Sequence, residues 1–337
     1  MILVTGATGI LGRVIVLQLL KQGKSVVAAK RKSSNIEEVK DSYKFYTDSP
    51  DAFFDRIKWV DVDFDDTFSL ENALRGIEEV YHCAATVSFH PADQRRMYHT
   101  NIEGTRNLLY ACEGSQVKKF CFVSSIAVLD GVNEKDETDE NSDYNQKLDH
   151  SAYAVSKHFS EMEVWRAAAE GLNTVIVNPG IIIGSGNWTQ SSGMLFANLA
   201  KPYTFSGGAS YVDVRDVAKA SIELMDNNVF NERFIVISEN KRYAEVASYV
   251  RQKMGLSGPK IIPSVLLTVG RVLNFVFGWL FSPLRMVDKV NKESVTSMSN
   301  VSNDKIVKTL GFKFIPVNES IDFHLENYRT DKKSKKE

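Results

Sequence analysis

The chain reads as an α/β protein built on a doubly wound parallel sheet, with a smaller, mainly helical C-terminal lobe. Three observations predict it. Ile2-Leu3-Val4-Thr5 runs without a gap into the glycine turn Gly6-Ala7-Thr8-Gly9-Ile10-Leu11-Gly12 and then into an apolar helix. Strand and helix patterns alternate, six signals within about 125 residues. Several of the apolar runs end in small residues or hydroxyls, which suits a crevice at the carboxyl edge of a parallel sheet.

The opening turn has the spacing G-x-x-G-x-x-G. A βα unit of this kind presents backbone N–H groups and a helix N-terminus to a pyrophosphate. Gly6 allows the tight turn, Gly9 the close approach of backbone to phosphate, and Gly12 the packing of helix on strand; a glycine triplet by itself also fits an ordinary strand-to-helix turn. After a helix over 14–20, residues 25–29 read as a second strand. An NAD site places an acidic residue just beyond that strand, about 20 residues past the glycines. Lys30-Arg31-Lys32-Ser33-Ser34-Asn35 stands there instead. Cations and hydroxyls suit a 2′-phosphate, and Arg31 is able to hold one through two parallel hydrogen bonds. NADP(H) is therefore expected over NAD(H), the competing reading being a solvated basic loop.

Residues 57–63 look like a third strand. Asp63 and Phe64 at its end fall where a carboxylate and an apolar side chain would hold an adenine, although Asp63, Asp65 and Asp66 equally suit capping of a helix over 69–74. Residues 80–85 form a fourth strand running into Ala84 and Ala85, small enough for a cofactor to lie close. An amphipathic helix over 101–112 precedes a fifth strand, 119–125, which ends in Ser124 and Ser125. Cys83 has no histidine–acid arrangement around it and reads as a small core residue. An acidic loop over 130–150 leads to a helix opened by Tyr153-Ala154-Val155-Ser156-Lys157. Residues 173–180 are a sixth strand closed by Pro179 and Gly180, after which 181–203 leaves the sheet. Residues 210–218 bring the chain back, with Asp213 or Asp216 capping a helix to Met225, and 234–238 add a short strand.

From residue 240 a helical lobe follows. Residues 261–281 are its most apolar stretch, interrupted by Pro263, Ser264, Thr268, Gly270, Arg271, Asn274 and Gly278. A membrane span needs about 20 nearly uninterrupted apolar residues without a central arginine. A lid or packing helix is expected, with membrane-surface contact as the alternative. The charged tail 329–337 reads as disordered.

The net charge of −1 gives no basic face for nucleic acid. The six histidines show no metal-ligand spacing, so no metal is expected. Three cysteines in apolar surroundings, and a first strand beginning at residue 2, point to a reducing compartment and a cytoplasmic location.

Ser125, Tyr153 and Lys157 are the candidate catalytic residues. Carbonyl reduction needs a hydride donor at carbon and a proton donor at oxygen. A tyrosine supplies the proton only if its pKa of about 10 is brought down. A lysine one turn away on the same helix face favours the phenolate and is able to hold ribose hydroxyls. A serine hydroxyl across the site steadies the charge developing on the substrate oxygen. Glu161, on the same face, reads as a structural partner of the lysine. Alone, Y-x-x-x-K also occurs on exposed helix faces; its place after the glycine turn and the strand-end hydroxyls is what singles it out.

With T-G-A-T-G-I-L-G, H-C-A-A, N-I-E-G-T-R-N-L-L, V-S-S-I-A-V, Y-A-V-S-K, N-P-G, Y-V-D-V-R-D-V-A and the closing N-D-K-I-V-K-T-L-G-F, the chain resembles the extended short-chain dehydrogenases/reductases over nearly its whole length. The basic residues after the second strand and S-K-H-F-S-E look most like the dihydroflavonol 4-reductase/aldehyde reductase branch, with the 3β-hydroxysteroid dehydrogenases nearby. The resemblance implies a Rossmann sheet of about seven strands over 1–180, completed by 210–238. It implies a substrate lobe from 181–209 and 239–328. It implies that Gly6, Thr8, Gly9, Ile10 and Leu11 touch the pyrophosphate, Arg31 the 2′-phosphate, and Asp63 and Phe64 the adenine. Ala84, Ala85, Pro179, Gly180 and Ile182 would flank the nicotinamide. The family often forms homodimers through a helix pair. Ile126 and Ala127 stand where sugar-nucleotide dehydratases of the family carry acidic residues, and Leu129-Asp130 where epimerases often have Tyr-Gly. Both departures weaken a sugar-nucleotide substrate. The expected reaction is reduction of a moderately apolar ketone or aldehyde. The alternatives are a sterol or hydroxysteroid dehydrogenase at a membrane surface, an epimerase, and a non-catalytic dinucleotide binder.

Overall fold

A computed structural model describes residues 1–88, 90–188, 191–277 and 289–334. Its strands are β1 (Ile2–Thr5), β2 (Val26–Lys30), β3 (Lys58–Asp61), β4 (Glu79–His82), β5 (Lys119–Val123), β6 (Asn173–Pro179), β7 (Ile181–Ile183), β8 (Tyr203–Thr204), β9 (Gly208–Asp213), β10 (Glu232–Val236), β11 (Glu239–Arg242) and β12 (Lys260–Ile261). Seven of them form the main sheet in the order β10-β6-β5-β4-β1-β2-β3. Every pairing in it is parallel. The order reverses between β1 and β4, and a ligand crevice opens at that kind of switch point, beyond the carboxyl ends of the strands.

The strands are buried on both faces, so their side chains divide by alternation. Val4, Tyr81, Cys121, Val175 and Val177 enter one core, with the helices Ile10–Lys21 and Val214–Asp226 over them. Leu3, Val80, Phe120, Phe122 and Ile176 enter the other, beneath Gly104–Glu113 and Ala152–Ala169. The result is three layers, helix on sheet on helix.

The structure departs from the sequence reading at several places. Residues 181–183 do not simply leave the sheet: β7 pairs with β9, and β9 with β11, in a separate three-stranded sheet. The returning segment 208–213 thus joins this smaller sheet, and only β10 completes the large one. Of the two capping candidates it is Asp213 that caps, accepting from the Arg215 N–H at 2.8 Å. The tail is not disordered over 329–334, where the helix Val317–Ser334 continues. Asp331 there accepts from Trp188 Nε1 at 3.0 Å and from Lys44 Nζ at 2.9 Å. Of the apolar stretch 261–281, the helix Ser264–Phe277 is seen, and 278–281 lie outside the described residues. None of the described helices is long and apolar enough to cross a membrane.

Candidate active site

The crevice begins at the turn after β1. Gly6 has φ +64°, and a Cβ on it would lie 2.6 Å from the Ala84 nitrogen. A Cβ on Gly12 would lie 2.2 Å from the Gly6 carbonyl oxygen. Both positions therefore exclude side chains, for conformation at the first and packing at the second. Gly9 is the N-cap of the helix Ile10–Lys21 and has no capping side chain, so the first-turn N–H groups at Ile10, Leu11 and Gly12 face outward without an intrahelical acceptor. Such a bare, positively polarised helix end favours an anion.

A run of hydrogen bonds fastens the turn to its neighbours. The Ala84 N–H donates to Thr5 Oγ1 (3.3 Å), which lies 2.7 Å from His82 Nδ1; His82 Nε2 is 3.0 Å from Thr105 Oγ1. The Thr105 hydroxyl donates to the Asn101 carbonyl at 2.6 Å. That assigns the imidazole proton to Nε2, with Nδ1 accepting from Thr5. Burial, together with the nearby Lys157 charge, lowers the His82 pKa to about 3, so the ring stays neutral.

Tyr153 lies in the first turn of the helix Ala152–Ala169, which Ser151 caps through the Ala154 N–H at 3.1 Å. Ser125 follows β5, and its side chain accepts from the Ala127 N–H at 3.2 Å. The Ser125 side chain is close enough to Tyr153 to act on its phenol. Burial raises the Tyr153 pKa, and Ser125 partly offsets this. Lys157, only 2% exposed, donates to the Val123 carbonyl at 2.6 Å and lies over the Phe122 ring. Its pKa is lowered to about 8 by burial, against the opposing pull of Glu161 and Cys83. The balance on the tyrosine thus differs from the sequence expectation: burial outweighs the neighbours, and Lys157 is directed at a backbone carbonyl.

Glu161 is not bonded to Lys157. It accepts from Ser124 Oγ at 2.7 Å, Asn178 Nδ2 at 3.2 Å and Arg233 Nη1 at 3.3 Å, tying the ends of β5 and β6 together behind the catalytic helix. Asn101 is a positioning residue that the sequence reading missed. It lies in a π-turn, His99–Glu103, ahead of the helix Gly104–Glu113. Its side chain accepts from the Thr86 N–H (2.7 Å) and donates to Thr86 O (2.9 Å) and Ser156 Oγ (2.9 Å). It thereby joins the segment after Ala84 and Ala85 to the Tyr153 helix. The extra residue of a π-turn has no signature in hydrophobic periodicity, so only the asparagine in an apolar face was available as a signal.

The remaining candidates are distributed around this centre. Thr8 and Ile10 are half-buried and Leu11 is buried along the glycine turn. Arg31 is exposed beyond β2, while Lys30 is ion-paired with Asp61. Asp63 accepts from the Asp65 N–H at 3.0 Å, and Asp66, not Asp63, caps the helix Thr67–Ala73. Phe64 packs edge-on against His82, beside Gly104. Ala84 is half-buried and Ala85 exposed. Pro179 is buried at the end of β6, and Ile182 pairs with Val212. Gly180 has a structural reason to be glycine, because a Cβ there would meet the Ser210 carbonyl oxygen at 2.3 Å.

A second polar cluster has the makings of a nucleophile site but is sealed. Ser185 Oγ is 2.7 Å from His324 Nδ1, and His324 Nε2 is 3.2 Å from Asp213 Oδ2, all three at 0% exposure. Burial works against the Asp213 charge, but hydrogen bonds from Arg215 and His324 outweigh it and hold the carboxyl well below its usual range. The cluster brackets the C-terminal helix to β9 and the loop after β7.

The model of the NAD dependent epimerase/dehydratase family matches residues 2–237. Sterol demethylase protein B of Methylococcus capsulatus is 28% identical over 270 residues, 79% of this chain and 78% of that protein. A putative dihydroflavonol 4-reductase of Synechocystis is 28% identical over 285 residues, 82% and 77% of the two chains. The crystal structure of gox2253 superposes with a TM-score of 0.81 at 26% identity, covering 98% of both chains. The chain belongs to the NAD dependent epimerase/dehydratase family and is an NAD(P)-dependent oxidoreductase of the short-chain dehydrogenase/reductase type.

Proposed function

We propose that the protein reduces an apolar ketone or aldehyde with NADPH, or oxidises the matching alcohol, using Tyr153 as acid and base. The single observation that carries this reading is the gathering of Ser125, Tyr153 and, one turn on, Lys157 beyond the carboxyl end of β5. The cradle around Gly6, Gly9 and Gly12 fits a dinucleotide pyrophosphate, because the glycines let the turn pack tightly against Ala84 and the helix while the uncapped helix N–H groups line it. Thr8, Ile10 and Leu11 would complete it. Arg31 would hold a 2′-phosphate, Asp63 and Phe64 the adenine, and Ala84, Ala85, Pro179, Gly180 and Ile182 would flank the nicotinamide. The dinucleotide, when bound, supplies the hydride chemistry.

The rest of the reaction belongs to the protein. Tyr153 gives its phenolic proton to the substrate oxygen. Ser125 donates a hydrogen bond to the same oxygen and steadies the charge that develops there. The buried Lys157 adds positive charge that favours the phenolate left behind and holds ribose hydroxyls. The unpaired thiols Cys83, Cys112 and Cys121 support a reducing, cytoplasmic setting. NADPH oxidation against a panel of aldehydes and ketones tests the mechanism. Turnover by Tyr153→Phe equal to that of the parent chain removes the tyrosine from it.

One observation favours a second reading, a sterol-type substrate taken at a membrane surface. Ile261, Val265, Leu266 and Val269 are exposed at 48–68%. Ile261 ends β12, and Val265, Leu266 and Val269 lie on the helix Ser264–Phe277, which is joined to the catalytic side of the fold. Lys292 bonds Thr268 at 2.8 Å, and Lys289 bonds Asp149 at 2.7 Å, four residues before Tyr153. Sterol demethylase protein B is among the relatives. Co-sedimentation with phosphatidylcholine/phosphatidylglycerol vesicles, compared with Val265→Asp/Leu266→Asp, decides it; no sedimentation by the parent chain ends this reading.

A further inference from the structure

Arg13 follows the third glycine of the turn and is buried, at 1% exposure. Its guanidinium donates to the Thr8 carbonyl and, through Nε at 3.2 Å, to the Gly9 carbonyl. It is paired with Glu38 at 3.2 Å, and the other Glu38 oxygen accepts from Asn187 Nδ2 at 3.3 Å. Gly186, with φ +144°, leaves the space that the guanidinium fills: a Cβ there would lie 2.8 Å from Arg13 Nη1.

A buried guanidinium is costly unless its surroundings use the charge, and an apolar side chain of similar size would fill the same space at lower cost. We infer that Arg13 is the positioning residue of the pyrophosphate cradle, holding the Thr8 and Gly9 carbonyls inward so that the Ile10 N–H, opposite the Gly9 carbonyl, faces the dinucleotide. The inference rests on the proposal that this turn holds a pyrophosphate.

The geometry supports it through the peptide plane. The Gly9 carbonyl and the Ile10 N–H belong to one planar unit and point in opposite directions. Fixing the carbonyl toward Arg13 therefore aims the Ile10 N–H outward, at the helix end. Glu38 fixes the guanidinium and carries the link to Asn187, in the loop after β7, so the cradle is registered against a segment that leads into the C-terminal lobe.

Both NADPH and NADH carry the pyrophosphate, and only NADPH the 2′-phosphate, so the two dinucleotides separate the possible roles. Arg13→Met in the full chain is expected to weaken both by a common factor of about tenfold or more. Both titrations are made well below the variant's own melting transition, because loss of the buried pair with Glu38 lowers stability as well. Arg13→Lys keeps the charge but not the fork, and is expected to lose less, again equally for the two dinucleotides. It also serves should Arg13→Met fail to fold. Unchanged affinities, a loss confined to NADPH, or a loss seen only near the melting transition overturns the inference. If the parent chain binds neither dinucleotide, the cradle itself is removed, and this role with it.

Discussion

The Lys157 ammonium donates to the Val123 carbonyl at 2.6 Å, two residues before Ser125, and so ties the catalytic helix to the strand that carries the serine. Burial brings this lysine to about 8, and it is charged below that value and neutral above it. The kcat/KM profile for carbonyl reduction is therefore expected to fall as pH rises through about 8. In Lys157→Arg, whose guanidinium stays charged, that alkaline limb should vanish even if overall activity is lower. An identical limb in both proteins would assign it to another group.

Gly12 leaves no room for a methyl against the Gly6 carbonyl. Gly12→Ala should lose about 1–3 kcal/mol of stability through backbone displacement. Dinucleotide affinity should fall with it, because the turn itself must move. Gly258→Ala, where a Cβ meets nothing within 4 Å, is the control and should unfold at nearly the parent urea midpoint. Equal midpoints for the two variants would contradict the crowding.

His82 is held neutral, with its pKa lowered to about 3 from an ordinary 6.5. Between these values the unfolded chain takes up a proton that the folded chain refuses. Stability is accordingly unaffected above about pH 6.5 and decreases as pH falls below it, by up to about 1.4 kcal/mol per pH unit from this one ring. The buried His324 is also lowered and adds in the same direction. His82→Gln should flatten the dependence in urea titrations between pH 4 and 6.5, within the interval set by the cited pKa values; an unchanged slope would count against a neutral His82.

Arg31 is exposed where a 2′-phosphate would lie. Arg31→Ala is expected to reduce the NADPH-to-NADH affinity ratio by about tenfold, the scale of a lost charge-assisted pair. Fluorescence titration measures both affinities. A ratio that does not change would move the preference to other residues or remove it.

The inner strands of the main sheet were readable because they are short apolar runs closed by a turn signal, as Val4, Val80 and Phe120 show. The glycine turn was readable for a steric reason, since Gly6 and Gly12 are places where only hydrogen fits. What stayed hidden depends on partners far away in the chain. β7 is three residues long and is defined by pairing with Val212, which no local pattern announces. Arg13 looks like one polar residue in an apolar helix, and its burial follows from Glu38 and Gly186. The tail reads as solvated charge because Trp188, which accepts its company, lies 143 residues away. Tyr153 and Lys157 were legible by spacing, but the direction of the lysine was not, because the backbone carbonyl it meets belongs to another strand.

The bond between Lys44 and Asp331 joins groups 287 residues apart. The layer that carries Glu38, and with it the Arg13 pair, is thus fastened by the helix Val317–Ser334, far along the chain. Polypeptides cut just before Asp331 should leave residues 31–48 open to protease; equal resistance to that of the whole chain would show that this late fastening is dispensable.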